Sequence, residues 1–402
     1  MKNYAIISEF NPFHKGHQYL TEQCRQSGAT HITAIMSGNY VQRGDVAILP
    51  KHIRTKMALE CGVDLVLELP LPYAVSNAQV FARGGVQTAY LSGCVDKLAF
   101  GSECGNIKSL EDISRLTTDE SFQLAFKKEI AKGVSYPTAL TNTASILGNN
   151  NLAEIISSPN NVLGIEYVKA INEIKDKTSD CKITPVTFQR IGDSHNSQAI
   201  SSTFASASNI RKLIKNGEAF IEYLPNKSYD LLQQAIISNE IACLENNHRG
   251  IISILRKMSI DDFKSIADIS EGLEHRIYNA VQKATSVEDI LEMTCSKRYT
   301  YARIRRLLIS SILGITYNYP TTPPQYIRIL GFNNKGAEIL KVMKKTAKVP
   351  IITKITNLPQ ELSEHGKKML EIEIKSSDIY YTFTNKVQPC GIEYKSGVVV
   401  IK

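Results

Sequence analysis

Long apolar runs, cysteine pairs and internal repeats are all missing from this 402-residue sequence. No stretch approaches the apolar length needed to cross a bilayer, and the N-terminus lacks the basic and apolar regions of a secretory signal. The eight cysteines are scattered without a Cys-x-x-Cys pair, which argues against a zinc site or a disulfide framework and indicates reduced thiols. These absences predict a cytoplasmic protein without membrane contact.

What the sequence does contain is an alternation of strand and helix patterns. Apolar runs predict strands at residues 4–8, 31–36, 64–68, 97–100 and 182–188. The first four are separated by segments that predict helices at residues 18–27, 54–61 and 79–91. Such alternation predicts a Rossmann-like α/β fold with a parallel sheet, in which ligands bind beyond the carboxyl ends of the strands.

Residues 8–17 (SEFNPFHKGH) connect the first predicted strand to the first predicted helix, a common phosphate-binding position in α/β proteins. His14 and His17 share a helix face, so both imidazoles can point at one ligand. Gly16 lets a phosphate approach the backbone. With Lys15 and the helix amides, these groups could stabilise charge on an α-phosphate. An isolated His-x-x-His pair is as often a coincidence, but its position after the first strand favours the functional interpretation.

A second segment suited to phosphates is SASNIR, at residues 206–211. Ser206 or Ser208 is a natural N-cap, and the alternative to a functional role is an ordinary capped helix. A serine hydroxyl and the helix amides can hold β- and γ-phosphates, while Arg211 can neutralise leaving pyrophosphate. With residues 14–17, this segment resembles the two motifs of the nucleotidyltransferase superfamily, although Ala207 stands where many relatives have serine. A polar loop over the site is predicted at 193–208.

Seven stretches, taken in order, resemble a narrower family. They are SEFNPFHKGH (8–17), MSGNYVQRGD (36–45), RTKMA (54–58), ELP (68–70), FGSE (100–103), SPNNVLGIEY (158–167) and KRYTY (297–301). In this order and spacing they resemble the bacterial tRNA(Met) cytidine acetate ligase family through nearly the whole chain. The resemblance implies that ATP and acetate form acetyl-adenylate and pyrophosphate. The acetyl group then passes to N4 of the wobble cytidine of elongator tRNA(Met), giving N4-acetylcytidine.

The resemblance also implies the residues of the ATP site. The expected catalytic residues are His14, Lys15, His17 and Arg211. The expected ATP-binding residues are Ile7, Ser8, Glu9, Phe10, Asn11, Pro12, Phe13, Gly16, Gln18, Tyr19, Leu20, Gly101, Asn160, Asn161, Arg190, Ile191 and Ser208. No base is needed to activate acetate, which is already an anion at neutral pH. We expect Mg²⁺ to bridge the phosphates, although no carboxylate pair marks its position and we assign it no protein ligand.

Three of the matched stretches allow two interpretations each. The Asn160-Asn161 pair could bind adenine or could form the N-cap after Pro159. Arg43 could face acetate or tRNA, or could pair with Asp45. Glu68 could help to deprotonate the cytosine amine or could be a buried structural carboxylate.

The positive charge lies mainly in the C-terminal part. The net charge is +8, and residues 291–402 hold 18 Lys/Arg against 8 Asp/Glu, so the rest is nearly neutral. This asymmetry suggests a polyanionic partner. The expected tRNA-binding residues are Lys297, Arg298, Tyr299, Tyr301 and Arg305. Cations contact phosphates and tyrosine rings can stack on unpaired bases, whereas the alternative is a solvated basic face.

The chain is therefore predicted to have three parts. Residues 1–222 form a nucleotidyltransferase domain, residues 223–316 a helical tRNA-binding region, and residues 317–402 a small basic α+β domain. Its expected partners are elongator tRNA(Met), acetate and ATP, and a homodimer is left open. Two other functions remain: a small-molecule adenylyltransferase, whose known members are usually far shorter, and a non-catalytic RNA-binding protein, against which the intact His14, His17 and Arg211 argue.

Overall fold

The structure of the chain, a computed structural model, describes residues 1–147, 150–191, 204–270 and 272–402. The first elements are β1 (Asn3–Ser8), α1 (Lys15–Gln26), β2 (His31–Ser37), β3 (Tyr40–Val41), β4 (Asp45–Val46), α2 (Lys51–Glu60), β5 (Leu65–Leu69), α3 (Leu71–Ala74), α4 (Ala78–Leu91) and β6 (Lys97–Ser102). A helical stretch follows, with α5 (Ile107–Thr118), α6 (Glu120–Ala131), α7 (Tyr136–Ile146), α8 (Asn150–Ser157) and α9 (Pro159–Lys177), and it leads into β7 (Thr184–Gln189).

Helices dominate the middle of the chain, and the C-terminal part mixes helices with strands. The middle contains α10 (Ala207–Asn216), α11 (Asn226–Ile237), α12 (His248–Lys257), α13 (Ile260–Lys264), α14 (Leu273–Lys283), α15 (Val287–Thr294) and α16 (Tyr301–Leu313), with short 3₁₀ turns at Ile221–Tyr223 and Leu244–Asn247. The C-terminal part contains β8 (Ile327–Phe332), α17 (Asn334–Thr346), β9 (Ile351–Ile352), α18 (Glu364–Tyr380), α19 (Ile392–Lys395) and β10 (Val399–Val400).

The central sheet has the strand order β10-β8-β5-β2-β1-β6-β7, with β9 paired to β8. Neighbouring strands are parallel except for β5 and β8, which are antiparallel. From β1 the chain first builds outward through β2 and β5, and then returns to the other side of β1 with β6 and β7. The carboxyl end of β1 is therefore the point where the strand order reverses, which is where open α/β sheets bind ligands.

Hydrophobic residues cover both faces of this sheet, as parallel strands require. Successive residues of β1 alternate between the two faces, with Ala5 and Ile7 in one core and Tyr4 and Ile6 in the other. The first core lies under α4, α9, α17 and α18, and the second lies under α1, α2, α10 and α11. A separate core joins α12, α14, α15 and α16 to the end of α18.

The α/β fold predicted from the sequence is confirmed, with shifts at element ends. Helix α1 begins at Lys15 rather than Gln18, because His14 caps it. Helix α18 was not predicted, since its apolar and polar residues show a weak helical pattern. Most of the predicted polar loop at 193–208 lies outside the described residues.

The strands of residues 317–402 join the sheet of the N-terminal part, which the sequence did not predict. β8 pairs with β5 across a bulge between Val66 and Leu67. Partners so far apart in sequence leave no local pattern, because pairing is decided by long-range packing. The domain boundaries at 222/223 and 316/317 remain a prediction. The first and last of these predicted domains are nevertheless joined by backbone hydrogen bonds between β5 and β8.

Candidate active site

His14 and His17 form a reciprocal cap at the start of α1. The His14 Nδ1 atom accepts from the Gly16 backbone N–H at 3.0 Å, and His17 Nδ1 accepts from the His14 backbone N–H at 3.2 Å. The two rings stack with centroids 3.8 Å apart. A neutral imidazole that accepts through Nδ1 carries its hydrogen on Nε2. The cap therefore sets both rings in the tautomer that donates from Nε2.

The surroundings keep His17 neutral. Burial lowers the pKa of His17 well below its ordinary value, and the nearby His14 and Arg190 lower it further. The electrostatic effect of Arg190 also shows that its guanidinium lies near the imidazole pair. His17 therefore offers a neutral N–H donor at pH 7, and the positive charge of the site comes from arginine.

The loop before α1 is held by contacts from several elements. Phe10 and Phe13 pack against the His17 ring, with centroids 5.0 and 5.4 Å away. The Ser228 hydroxyl of α11 donates to the Phe13 carbonyl at 2.6 Å. The Asn11 side-chain oxygen accepts from the Ile48 N–H at 2.7 Å. These contacts fix the positions of the imidazoles before any ligand arrives, which is what preorganised catalysis requires.

Arg211 of α10 lies beside the same loop, 200 residues away in sequence. One of its Nη atoms donates to the Asn11 carbonyl at 2.8 Å. Burial lowers the pKa of Arg211, against the opposing effects of Asp45 and Glu9. The cap of α10 is Ser206, whose hydroxyl accepts from the Asn209 N–H and lies 2.9 Å from that of Ser208. The structure thus brings Arg211 to the histidine loop, and Ser208 lies in the first turn of the same helix.

Gly101 and Arg190 lie on neighbouring strands at the same edge of the sheet. β6 pairs with β7 so that Gly101 is opposite Phe188, and a Cβ on Gly101 would lie 3.0 Å from the Arg190 Cγ. The glycine leaves room for the arginine side chain over the strand end. The neighbouring Ile191 is exposed. Arg190 therefore lies at the carboxyl end of the sheet, where it acts electrostatically on His17.

The Asn160-Asn161 pair binds the loop that follows β6. The Glu103 carboxylate accepts from the Asn160 side chain at 2.6 Å and from the Asn161 N–H at 2.9 Å, at the first turn of α9. The Asn161 amide is occupied at both ends, by the Cys104 N–H and the Ile155 carbonyl. Asn161 therefore contributes structure in this conformation, and of the two Asn160 is the better placed for a ligand.

Other expected ATP-site residues lie further from the imidazole pair. Lys15 lines an open cleft of about 500 Å³ on another face of α1, together with Gln18, Glu22 and Arg25. Gln18 donates to Glu22 at 2.9 Å. Positions i and i+2 of a helix do not face each other, so Lys15 does not share a face with His17. Tyr19 packs its ring against Phe204, and Leu20 packs against the sheet core.

Arg54 is the first residue of the RTKMA stretch, for which the sequence indicated no role. It is fully buried, and burial lowers its pKa to about 10. Its guanidinium donates to the backbone carbonyls of Leu49, Glu9, Ser37 and Gly38. These hydrogen bonds hold the loops after β1 and β2 together. The RTKMA stretch indicated that this segment matters. It could not indicate the role of Arg54, because the partners of its guanidinium are backbone atoms that no residue pattern reveals.

Glu68 belongs to a buried ion network, which favours the structural interpretation of this carboxylate. The Lys51 Nζ atom lies 2.7 Å from Glu68 and 2.9 Å from Glu393, and Arg328 pairs with both carboxylates. Glu68 is 2% exposed, and with two cations bound it lacks a path for a proton to a substrate. The network joins α2 and β5 to β8 and α19.

The candidate tRNA-binding face lies next to the active-site loops. Asp45 pairs with Arg305 of α16 at 2.7 Å rather than with Arg43, whose side chain is exposed. Lys297, Arg298 and Tyr301 are also exposed, as expected for RNA contacts.

Tyr299 differs from this expectation. It is buried in the helical core, with the Arg298 and Arg303 guanidinium groups over its ring at 5.5 and 5.4 Å. A base cannot stack on Tyr299 in this arrangement. The sequence could not show this, because an aromatic residue among cations suits both a core and a surface.

Comparison with known proteins identifies the class of protein that this site defines. The family model for HIGH Nucleotidyl Transferase matches residues 1–394, and the chain belongs to this class. It is 36% identical over 420 residues to the tRNA(Met) cytidine acetate ligase of Acetivibrio thermocellus, with 100% of both chains covered. It is also 36% identical over 398 residues to the one of Thermoanaerobacter sp. (strain X514), covering 97% of each. Within its class, the chain belongs to the tRNA(Met) cytidine acetate ligase family.

Solved structures agree with this assignment. The apo crystal structure of Thermotoga maritima TmcAL matches with a TM-score of 0.92 at 32% identity, and all of both chains is covered. The same protein bound with alpha-thio ATP matches with a TM-score of 0.91 at 32% identity, covering 100% of this chain and 99% of that one. The resemblance and the fold expected from the sequence are therefore confirmed.

Two kinds of feature do not occur among the described residues. No helix in the described ranges is both long and apolar enough to span a bilayer. Within the same ranges, no three His, Cys, Asp or Glu residues come together as metal ligands would.

Proposed function

We propose that this chain is an ATP-dependent ligase that acetylates N4 of the wobble cytidine of elongator tRNA(Met). In the first step an acetate oxygen bonds to the α-phosphorus of ATP, and the bond to the bridging oxygen of pyrophosphate breaks. In the second step N4 attacks the acetyl carbonyl, AMP leaves with the bonding electrons, and the amine loses a proton. The observation that carries the proposal is the imidazole pair, fixed as two Nε2 donors at the switch point of the sheet.

The proposed catalytic roles follow from the chemistry of the first step. His14 and His17 donate to the α-phosphate, where charge grows as acetate attacks. Arg190 and Arg211 neutralise the triphosphate and the leaving pyrophosphate. Lys15 contributes through its charge at the start of α1 rather than through contact. Ser208 and the first turn of α10 hold the outer phosphates.

We propose that the other expected residues between positions 7 and 20 shape the nucleotide pocket. Gly101, Asn160, Asn161 and Ile191 complete it. Mg²⁺ is proposed to arrive with ATP, since this ion is usually held by substrate phosphates and one or two carboxylates. No three His, Cys, Asp or Glu side chains come together in the described residues, so the triphosphate would supply most of the ligands of the ion. When bound, the ion would neutralise charge shared by the phosphates.

The proposed setting of the reaction follows from its substrate. Residues 1–222 carry the nucleotide chemistry, residues 223–316 carry the tRNA contacts, and residues 317–402 complete the sheet. The protein acts in the cytoplasm, where tRNA is modified. The oligomeric state stays open, and light scattering would distinguish the 44.7 kDa of one chain from twice that mass.

The test is an assay with labelled acetate, ATP and tRNA(Met), followed by digestion of the RNA. We expect the label in N4-acetylcytidine. Label transferred to a small acceptor would instead indicate an adenylyltransferase of the same class. Tight tRNA binding without any turnover would indicate a non-catalytic RNA-binding protein.

A further inference from the structure

A second cavity lies outside the nucleotide site, between the helical region and the turn of the β3–β4 hairpin. Its volume is about 240 Å³, and it is lined from α12, α15, α16 and Gly44. The inner wall is aliphatic and comes from Ile251, Leu291, Leu308, Ile309 and Ile312. This volume equals that of about eight water molecules in the liquid. A flat ring of eight to eleven non-hydrogen atoms, such as a nucleobase, is of that size.

The mouth of this cavity carries hydrogen-bonding groups of both kinds. Arg305 lines it, and the buried Nε–H of this arginine has no acceptor among the described residues. Glu245 and Glu288 also line it as acceptors, and one Glu288 oxygen accepts from the Tyr301 hydroxyl. A carboxylate has further lone pairs to offer. Apolar walls with one donor and nearby acceptors match the faces and the polar edge of a base.

The surroundings of the cavity suit an RNA backbone. Lys297, Arg298 and Arg43 are exposed near the start of α16 and in the hairpin turn. Exposed Tyr301 lies at the rim through its contact with Glu288. Cations beside an aromatic ring and a base-sized cavity are the usual parts of a single-strand binding site.

A short path of contacts links the cavity to the active-site loop. Arg305 at the cavity pairs with Asp45 at 2.7 Å. The Asp45 carboxylate also acts electrostatically on Arg211, which donates to the Asn11 carbonyl. A base in the cavity would therefore contact the active-site loop only indirectly, through Arg305 and Asp45.

We propose that this cavity binds one unpaired nucleobase that flanks the acetylated cytidine in the tRNA loop, an inference that rests on the proposed function. The Arg305 Nε–H donates to a ring nitrogen or carbonyl of the base, and Glu288 accepts from an exocyclic amine. The site thus binds the polar edge of the base, and contributes to the choice of tRNA.

The experiment is a double-mutant cycle that pairs one substitution in the protein with one change in the RNA. The probe is an anticodon stem-loop carrying a single abasic nucleotide on either side of the target cytidine. Val287→Phe fills the cavity from its rim, and Val342→Phe adds the same ring to the surface of α17 as a control. We expect one abasic position and Val287→Phe each to weaken binding about tenfold. Their combination should weaken it no further, because both remove the same contact.

Two results would overturn the proposal: no loss at any abasic position, or losses that multiply in the combination. A variant without added bulk, Glu288→Gln, should weaken binding of the intact stem-loop but not of the abasic one, while its melting temperature stays unchanged. Acetate-dependent exchange of pyrophosphate into ATP is measured in parallel. If the unmodified protein shows no exchange, the proposed function fails, whereas the binding cycle still reports on the cavity.

Discussion

At the scale of single residues, His14 has a structural role and a proposed chemical role in the same ring. Its Nδ1 caps α1, and its Nε2 is the proposed donor to the α-phosphate. The position of the two histidines directly after the first predicted strand predicted that they contact a ligand. The stacking of the rings and their tautomers depend on backbone N–H groups, which residue types do not reveal.

The two roles of His14 can be separated by substitution. His14→Ser keeps a cap acceptor, so its free energy of unfolding should stay near that of the parent, whereas His14→Ala should lose about 1 kcal/mol. Both variants lack the Nε2 donor and should lose acetate-dependent ATP–pyrophosphate exchange by about 10²- to 10³-fold. Urea denaturation and exchange rates measure the two effects. Retained exchange in His14→Ser would contradict the proposed role.

At the scale of elements, α16 lies directly against the β3–β4 hairpin. Gly44 has a φ of +73°, and a Cβ on it would lie 2.3 Å from the Arg306 backbone nitrogen. Neither the β3–β4 hairpin nor its approach to α16 was predicted from the sequence. Contacts between segments about 260 residues apart leave no mark on either local pattern.

Gly44→Ala should therefore cost more stability than backbone strain alone. The matched control is Gly217→Ala at the end of α10, where φ is +70° and no atom lies within 4 Å of the added Cβ. We expect the control to lose about 1 kcal/mol and Gly44→Ala to lose roughly 1–3 kcal/mol more, because α16 must move. Urea denaturation measures both. Equal losses would show that the hairpin and α16 separate without cost.

The start of α16 and the turn before it also carry the prediction for tRNA affinity. Lys297→Glu with Arg298→Glu should weaken binding of tRNA(Met) at least tenfold and lower the salt dependence by about two units. Acetate-dependent exchange should not change, because these side chains lie outside the nucleotide loop. Lys341→Glu with Lys344→Glu on exposed positions of α17 makes the same change in net charge. Equal loss of exchange and binding would contradict this division of roles.

At the scale of the whole molecule, a buried ion network holds the last part of the chain on the sheet. Two cations, Lys51 and Arg328, balance two carboxylates, Glu68 and Glu393. A third carboxylate, Glu373, is fully buried beside them and accepts from the Tyr326 hydroxyl at 2.7 Å. Burial and the nearby Glu68 raise the pKa of Glu373 to about 8. The network is therefore electrically balanced only while Glu373 holds a proton.

The raised pKa of Glu373 sets the sign of a pH effect on stability. The unfolded chain releases this proton near pH 4.5, so stability is lost as the pH rises from there to about 8. Glu373→Gln keeps an acceptor for Tyr326 without a charge. It should raise the free energy of unfolding by up to a few kcal/mol at pH 8, and by much less at pH 5. Urea denaturation at both pH values is the measurement, and equal effects would contradict the assignment.

The sequence by itself determined the α/β class, the place of the imidazoles after the first strand and the family of the chain. These features are local, because a strand, a loop motif and a helix start are each determined by residues that are adjacent in sequence. Tertiary structure alone decided that Tyr299 is buried, that Arg54 binds backbone carbonyls, and that β8 joins β5. Each depends on which distant surfaces pack together, and packing is settled by the whole chain at once.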